Sequence, residues 1–179
     1  RKIGIHRLKI SKYLYFKSGI FPVTKHYYDP FFSLEDISSA TSNRKLPGIS
    51  LNEEDQLLLL KNFSFQSELK DFPINKVDES SFFWKNGSFE SGDAETWFNF
   101  IRFKKPKMII EIGSGYSTLL AIEAIKKNKL ENNDYSCEHI CIEPYEMSWL
   151  ENKDIRVIRE KVEDVDIKIF EKLNENDFL

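Results

Sequence analysis

Lys107-Met-Ile-Ile-Glu-Ile-Gly-Ser-Gly-Tyr-Ser-Thr118 decides the fold, because an apolar run ends in an acid and passes at once into a glycine turn. Met108, Ile109, Ile110 and Ile112 make a run short enough for one strand and apolar enough for burial on both faces, as a parallel sheet requires. Gly113 and Gly115 permit a backbone path, and an approach to a ligand, that a Cβ would obstruct. From Ser117 the sequence Ser-Thr-Leu-Leu-Ala-Ile-Glu-Ala-Ile-Lys-Lys127 predicts a helix capped by Ser117 or Thr118, with Leu119, Ile122 and Ile125 on one face. Amide donors at the start of that helix point at whatever occupies the turn.

Strand, glycine turn and helix also open dinucleotide-binding domains, where the pattern is G-x-G-x-x-G. Two residues argue against that here. Glu111 sets a negative charge where a pyrophosphate would arrive, whereas a cationic ligand would welcome it. Thr118 stands where the third glycine belongs. The stretch resembles motif I of the class I S-adenosylmethionine-dependent methyltransferases, acid-x-Gly-x-Gly, matched by Glu111, Gly113 and Gly115. Ser117 replaces a third glycine found in many members, as in a bacterial subset that reads E-I-G-S-G-x-S-T.

The resemblance implies S-adenosylmethionine as cofactor. Gly113, Ser114, Gly115, Tyr116 and Ser117 would cradle its methionine portion, and Glu111 would bond turn amides or its amino group. It also implies an acid at the end of the next strand, accepting hydrogen bonds from both ribose hydroxyls. Ile140, Cys141 and Ile142 are strand-like, Glu143 ends the run, and Pro144 can open a helix. The separation from Gly115 exceeds the usual distance of about twenty residues, and the polar stretch Lys126 to Asp134 reads as a surface loop holding the excess. A third strand is expected over Ile155 to Ile158. Glu160 to Asp164 then falls where the family places adenine contacts, with Val162 to pack on the ring. Lys161 departs from the Asp often found there.

The implied fold is α/β, a Rossmann-like methyltransferase domain with a parallel sheet flanked by helices. A complete sheet of this family has seven strands. The chain starts at Arg1 and ends in Asn176-Asp-Phe-Leu179, which reads as the opening of a fourth strand. Residues 88–179 are therefore expected to form the first half of the cofactor domain, with its C-terminal half incomplete. Catalytic residues would lie beyond it and remain unknown, and this chain alone is expected to be inactive.

Residues 1–87 read as an aromatic-rich, partly helical extension. Leu51 to Lys61 predicts a helix with acids in its first turn and Asn52 as its cap, and Ser64 to Asn86 reads as loop. Ser91 or Asp93 can cap a further helix whose Ala94, Trp97, Phe98 and Ile101 form an apolar stripe. In the family, the loop ahead of this helix often closes over the methionine end of the cofactor. Ser91 and Gly92 are candidates for that contact, against a plain capping role for Asp93.

With 179 residues and 41% hydrophobic content, the chain can bury a core. No apolar run approaches a membrane span and no signal-peptide pattern is present, so a cytoplasmic location is expected. Net charge is −3, yet seven Lys or Arg and no acid lie between Arg1 and Tyr28. Such an arm suits peripheral contact with a membrane surface or an anionic glycan, although a solvated or partner-packed extension is the commoner use. His6 and His26 within it carry no motif. Overall acidity gives little of the positive field that a nucleic-acid groove needs. Cys137 and Cys141 are too few for a disulfide scaffold and fit a reducing compartment. Cys137, His139 and Cys141 alternate along one strand face, where three in-line donors span too far to converge on zinc, so no metal site is expected.

These readings point to an S-adenosylmethionine-dependent methyltransferase acting on a hydroxyl of a small molecule or saccharide. The acceptor is inferred from the style of the motif alone. Two alternatives stay open: a non-catalytic binding or scaffold protein with the same fold, and an NAD(P)-binding oxidoreductase. The oligomeric state is not legible.

Overall fold

Alternate side chains of strand β1 (Met108–Ile112) enter two different cores, and this sets the layers of the molecule. Ile109 packs with Leu69, Phe82, Ala94, Phe98, Ile101, Leu119, Leu120, Ala121 and Ala124 on one face. Ile110 packs with Ile140, Ile142 and Ile169 on the other. Such two-sided burial is what the apolar run Met108-Ile-Ile110 anticipates. The computed structural model describes residues 9–19, 48, 50–145 and 147–179. Expectations falling on 1–8 and 20–47, including most of the basic aromatic arm, His6 and His26, lie outside the described residues.

The chain divides into two units, Arg1–Leu51 and Asn52–Leu179. In the first, helix α1 (Lys9–Ser18) exposes Ile10, Tyr13 and Leu14. The second holds α2 (Glu53–Leu60), α3 (Gln66–Leu69), α4 (Asp93–Lys104), β1, α5 (Tyr116–Glu131), β2 (Glu138–Ile142) and β3 (Arg156–Ile158). The sequence places the boundary after residue 87. Residues 52–87 instead fall in the same unit as the sheet, because Leu69 and Phe82 are part of its core.

The fold is mixed α/β, with a three-stranded parallel sheet in the order β1-β2-β3 flanked by helices. β1 pairs with β2 so that Glu111 lies opposite Cys141 and Ile109 opposite His139. The other edge of β1 is also used. Ile110 N donates to Phe178 O at 2.9 Å and Phe178 N to Met108 O at 3.2 Å, a parallel bridge that fits the expected opening of a fourth strand. Asp177 secures this junction by accepting from Lys107 N at 2.9 Å and Met108 N at 2.8 Å. Burial works against its charge, but the amides of Asn174, Met108 and Lys107 together hold the carboxyl below its ordinary range.

Several local expectations are corrected. Asn52 precedes α2 with left-handed backbone (φ 46°) and its side chain does not cap the helix. Gly92, not Ser91 or Asp93, stands at the N-cap of α4, where Glu95 reaches back to accept from Gly92 N at 2.8 Å. Thr118 caps α5 from inside the first turn, accepting from Gly115 N at 3.0 Å, while Ser117 turns elsewhere. Helix α5 continues to Glu131 and absorbs much of the stretch expected to be loop. Its Asn128 is buried and donates to Ile101 O at 2.9 Å, so tertiary contact outweighs the polar look of the segment. No helix opens at Pro144. The segment is instead fastened by Arg159, which donates to Glu143 O at 2.8 Å and Met147 O at 3.2 Å.

Arg102 joins three helices from a position of 1% exposure. Its guanidinium makes a two-pronged contact with Glu68 of α3, both bonds 2.9 Å, and reaches Asn128 and Glu131 of α5. The Phe65 ring lies 4.5 Å beneath it. A buried cation is tolerated only when so fully partnered. Among the described residues, no helix is long and apolar enough to cross a membrane.

Arg102→Ala strands Glu68 and Asn128 and should lower stability by about 3–5 kcal/mol in urea denaturation, whereas Lys105→Ala, which touches half-exposed Glu131, should cost less than about 1 kcal/mol. Hydrogen bonds from Arg102 and Lys105 hold the folded Glu131 carboxyl at about 2, below its ordinary 4.5. Its contribution is complete above pH 4.5 and is lost as pH falls toward 2. Glu131→Gln should flatten the acid limb of a stability profile over that window.

Candidate functional site

The two strand-ending acids meet at the glycine turn. β1 and β2 run parallel and end level with one another, so Glu111 and Glu143 approach the loop between β1 and α5 from adjacent strands. Glu143 accepts from Ser114 N at 3.2 Å and from Tyr145 N at 3.0 Å. Glu111 accepts at one oxygen from the Ser117 hydroxyl at 2.8 Å, and its other oxygen lies 2.8 Å from His139 Nε2. A carboxylate has only acceptors, so the imidazole donates from Nε2. His139 Nδ1 is then buried with no hydrogen-bond partner.

The turn itself divides into parts with different constraints. Gly113 has φ 83°, a left-handed conformation in which a Cβ is strained. Gly115 has extended backbone, φ −179°, and an added Cβ there would meet nothing within 4 Å. The protein's own geometry therefore requires glycine at 113 but not at 115. The Ser114 hydroxyl is near enough to the Cys141 thiol to lower its pKa slightly, yet it is buried and makes no hydrogen bond of ordinary geometry.

The remaining predicted site residues are more structural. Tyr116 stacks edge-on against Phe83, ring centres 5.3 Å apart, and is half-buried. Val162 packs against the Ile110, Ile140, Ile142 and Ile169 cluster. Seven of the eight candidates thus gather at or beside the turn, while Val162 belongs to the second core.

A groove of about 700 Å³ opens at the end of β1, on the side where the Phe178 segment joins. Glu111, Ile112, Gly113 and Ser117 line it, facing Phe89, Asp93, Trp97, Phe100 and Leu179. It lies at the reversal of strand order, where open parallel sheets bind ligands. Asp93, Trp97 and Phe100 were not read as site residues, although their i, i+4, i+7 spacing shows that they share a helix face. Trp97 was expected in the buried stripe. It is only partly buried, packs on Phe178 with ring centres 5.2 Å apart, and keeps an indole N–H without a partner.

Cys141 is wholly buried, and burial, followed by the nearby charge of Glu111, pushes its thiol up to about 12. It is therefore a protonated donor, 3.7 Å from Glu111. Glu111, His139 and Cys141 form a compact cluster. Reading one strand in isolation hid it, because the converging third group comes from the neighbouring strand and Cys137 takes no part.

The chain is 34% identical over 171 residues to a protein of Archaeoglobus fulgidus described as uncharacterized, an alignment spanning 88% of this chain and 75% of that one. It belongs to the same family as that archaeal protein. No protein-family model matches the sequence, and no solved structure does.

Gly113→Ala should lower stability by roughly 1–2 kcal/mol through its left-handed backbone, whereas Gly115→Ala should leave it unchanged. Thermal denaturation of the two variants beside the parent reads this contrast directly.

Proposed function

We propose that this protein is a cytoplasmic S-adenosylmethionine-dependent methyltransferase with a Rossmann-like fold, acting on a hydroxyl of a small molecule or saccharide. The observation that carries the reading is the pair of acids closing adjacent parallel strands on either side of a glycine turn, with Glu143 bonded to the turn amide of Ser114. The turn fits the cofactor in two further respects. Space is open where side chains at 113 and 115 would project, and the buried Ser114 hydroxyl lacks a partner.

In this reading Glu143 holds the ribose hydroxyls, residues 113–117 enclose the methionine portion, and the carboxylate of Glu111 attracts its ammonium group. S-adenosylmethionine supplies an electrophilic methyl for in-line displacement. The chain's contribution is alignment, with the groove beside β1 as the place where an acceptor can be brought up and water excluded. Glu111, Gly113 and Glu143 bind and orient; none is assigned a proton-transfer role.

One observation favours a second reading, a binding or scaffold protein without turnover. Both oxygens of Glu111 already have protein partners, Ser117 and His139, which is sufficient reason for an acid at this position. An oxidoreductase binding NAD(P) is disfavoured by the same negative charge beside the turn.

Calorimetric titration of S-adenosylmethionine into the full protein, with NAD as control, separates the three. Saturable binding of the former is expected. Glu143→Ala should weaken it roughly tenfold to a hundredfold by removing charge-assisted hydrogen bonds, and Gly115→Ala should weaken it without changing thermal stability. Preference for NAD would support the oxidoreductase, and a folded protein that binds neither would leave the scaffold reading.

A further inference from the structure

We propose that Glu111, His139 and Cys141 form a binding site for a zinc-class divalent cation between the sheet and the start of α5. The donors come from two strands. Glu111 and Cys141 are register partners, and His139 lies two residues before Cys141 on the same face of β2. The Glu111 oxygen and His139 Nε2 are 2.8 Å apart, and the Cys141 sulfur is 3.7 Å from each. The corners of a tetrahedron around zinc, with bonds of about 2.0–2.3 Å, are separated by roughly 3.3–3.6 Å. The triangle needs only a slight widening of its O···N side, which is now held short by the hydrogen bond that an ion would replace.

Charge and donor type agree with the geometry. A carboxylate, a thiolate and a neutral imidazole cancel a dication, so the buried complex carries no net charge. The sulfur and imidazole donors select zinc-like metals over magnesium or calcium. Ser117, which donates to the other oxygen of Glu111, supplies the hydrogen bond that fixes a ligating carboxylate. Glu111 also lines the groove, which gives an ion a way in. The fourth position is left to water. On binding, the Cys141 thiol proton leaves to solvent, and the imidazole proton moves from Nε2 to Nδ1, freeing Nε2 as the ligand. This site goes beyond the methyltransferase reading but shares Glu111 with it, so a bound ion and the ammonium group of S-adenosylmethionine compete for that carboxylate.

Cobalt(II), added to the metal-free, folded protein, is the probe. One cobalt per chain is expected, with the intense visible bands of a tetrahedral site and a near-ultraviolet sulfur-to-cobalt charge-transfer band, both abolished by adding zinc. Cys141→Ser should remove the charge-transfer band, and His139→Ala should weaken uptake by more than the roughly 10–100-fold typical of losing an outer-shell partner. Cys137→Ser should change neither. Circular dichroism establishes that each variant is folded. If the folded parent protein takes up no cobalt, or if the band survives Cys141→Ser and disappears with Cys137→Ser, the proposal is overturned. S-adenosylmethionine titration is made on the metal-free protein, where Glu111 keeps its charge, so failure of either result leaves the other standing.

Discussion

The backbone of β1 is hydrogen-bonded along both edges. Lys107 O and Gly113 N bond to β2, and Met108 O and Ile110 N bond to Phe178. A strand held this way cannot slip by one residue without turning Ile109 and Ile110 out of their separate cores. The register in turn decides which side chains meet. Glu111 faces Cys141 because Ile109 faces His139, and the glycine turn emerges level with the end of β2 because the two strands are matched residue for residue.

Helix α5 transmits that order to the rest of the larger unit. Its first turn is fixed by Thr118 and by Ser117, which bonds Glu111; its last turns are fixed by Asn128 and Glu131, which hold Arg102. Arg102 gathers α3 and α4 to the same point. The helix is therefore pinned at the turn and at its far end by polar contacts, with Leu119, Leu120, Ala121 and Ala124 filling the space between. The loop at the candidate site is thereby joined to polar contacts some twenty ångströms away, about the length of a helix of this size at 1.5 Å per residue.

What the sequence disclosed follows from how local each signal is. The apolar run of β1, the turn glycines and the acids Glu111 and Glu143 are all visible within a few residues, and the structure brings these acids together. The Phe178 segment was legible for the same reason. The contact between Glu111 and His139 was not, because it depends on the pairing register of strands about thirty residues apart. Nothing local marks Arg102 as buried, since only the fold brings Glu68 and Glu131 to it. Lys126 to Glu131 looked like loop because its polar composition hides the tertiary bonds of Asn128 to Ile101 and Arg102 and of Glu131 to Arg102.

The Asp177 clasp on Lys107 and Met108 has a consequence for folding. It closes a loop of 70 residues, against about thirty for the pairing of β1 with β2. The extra closure entropy is only about 0.7 kcal/mol, since the cost grows with the logarithm of loop length. Thermodynamically the distant partner is nearly as accessible as the near one, but local pairing comes first in time. Between those events, one edge of the most apolar of the described strands is bare. Unpaired edges of that kind recruit other chains, so residues 174–178 also shield this edge of β1 from them.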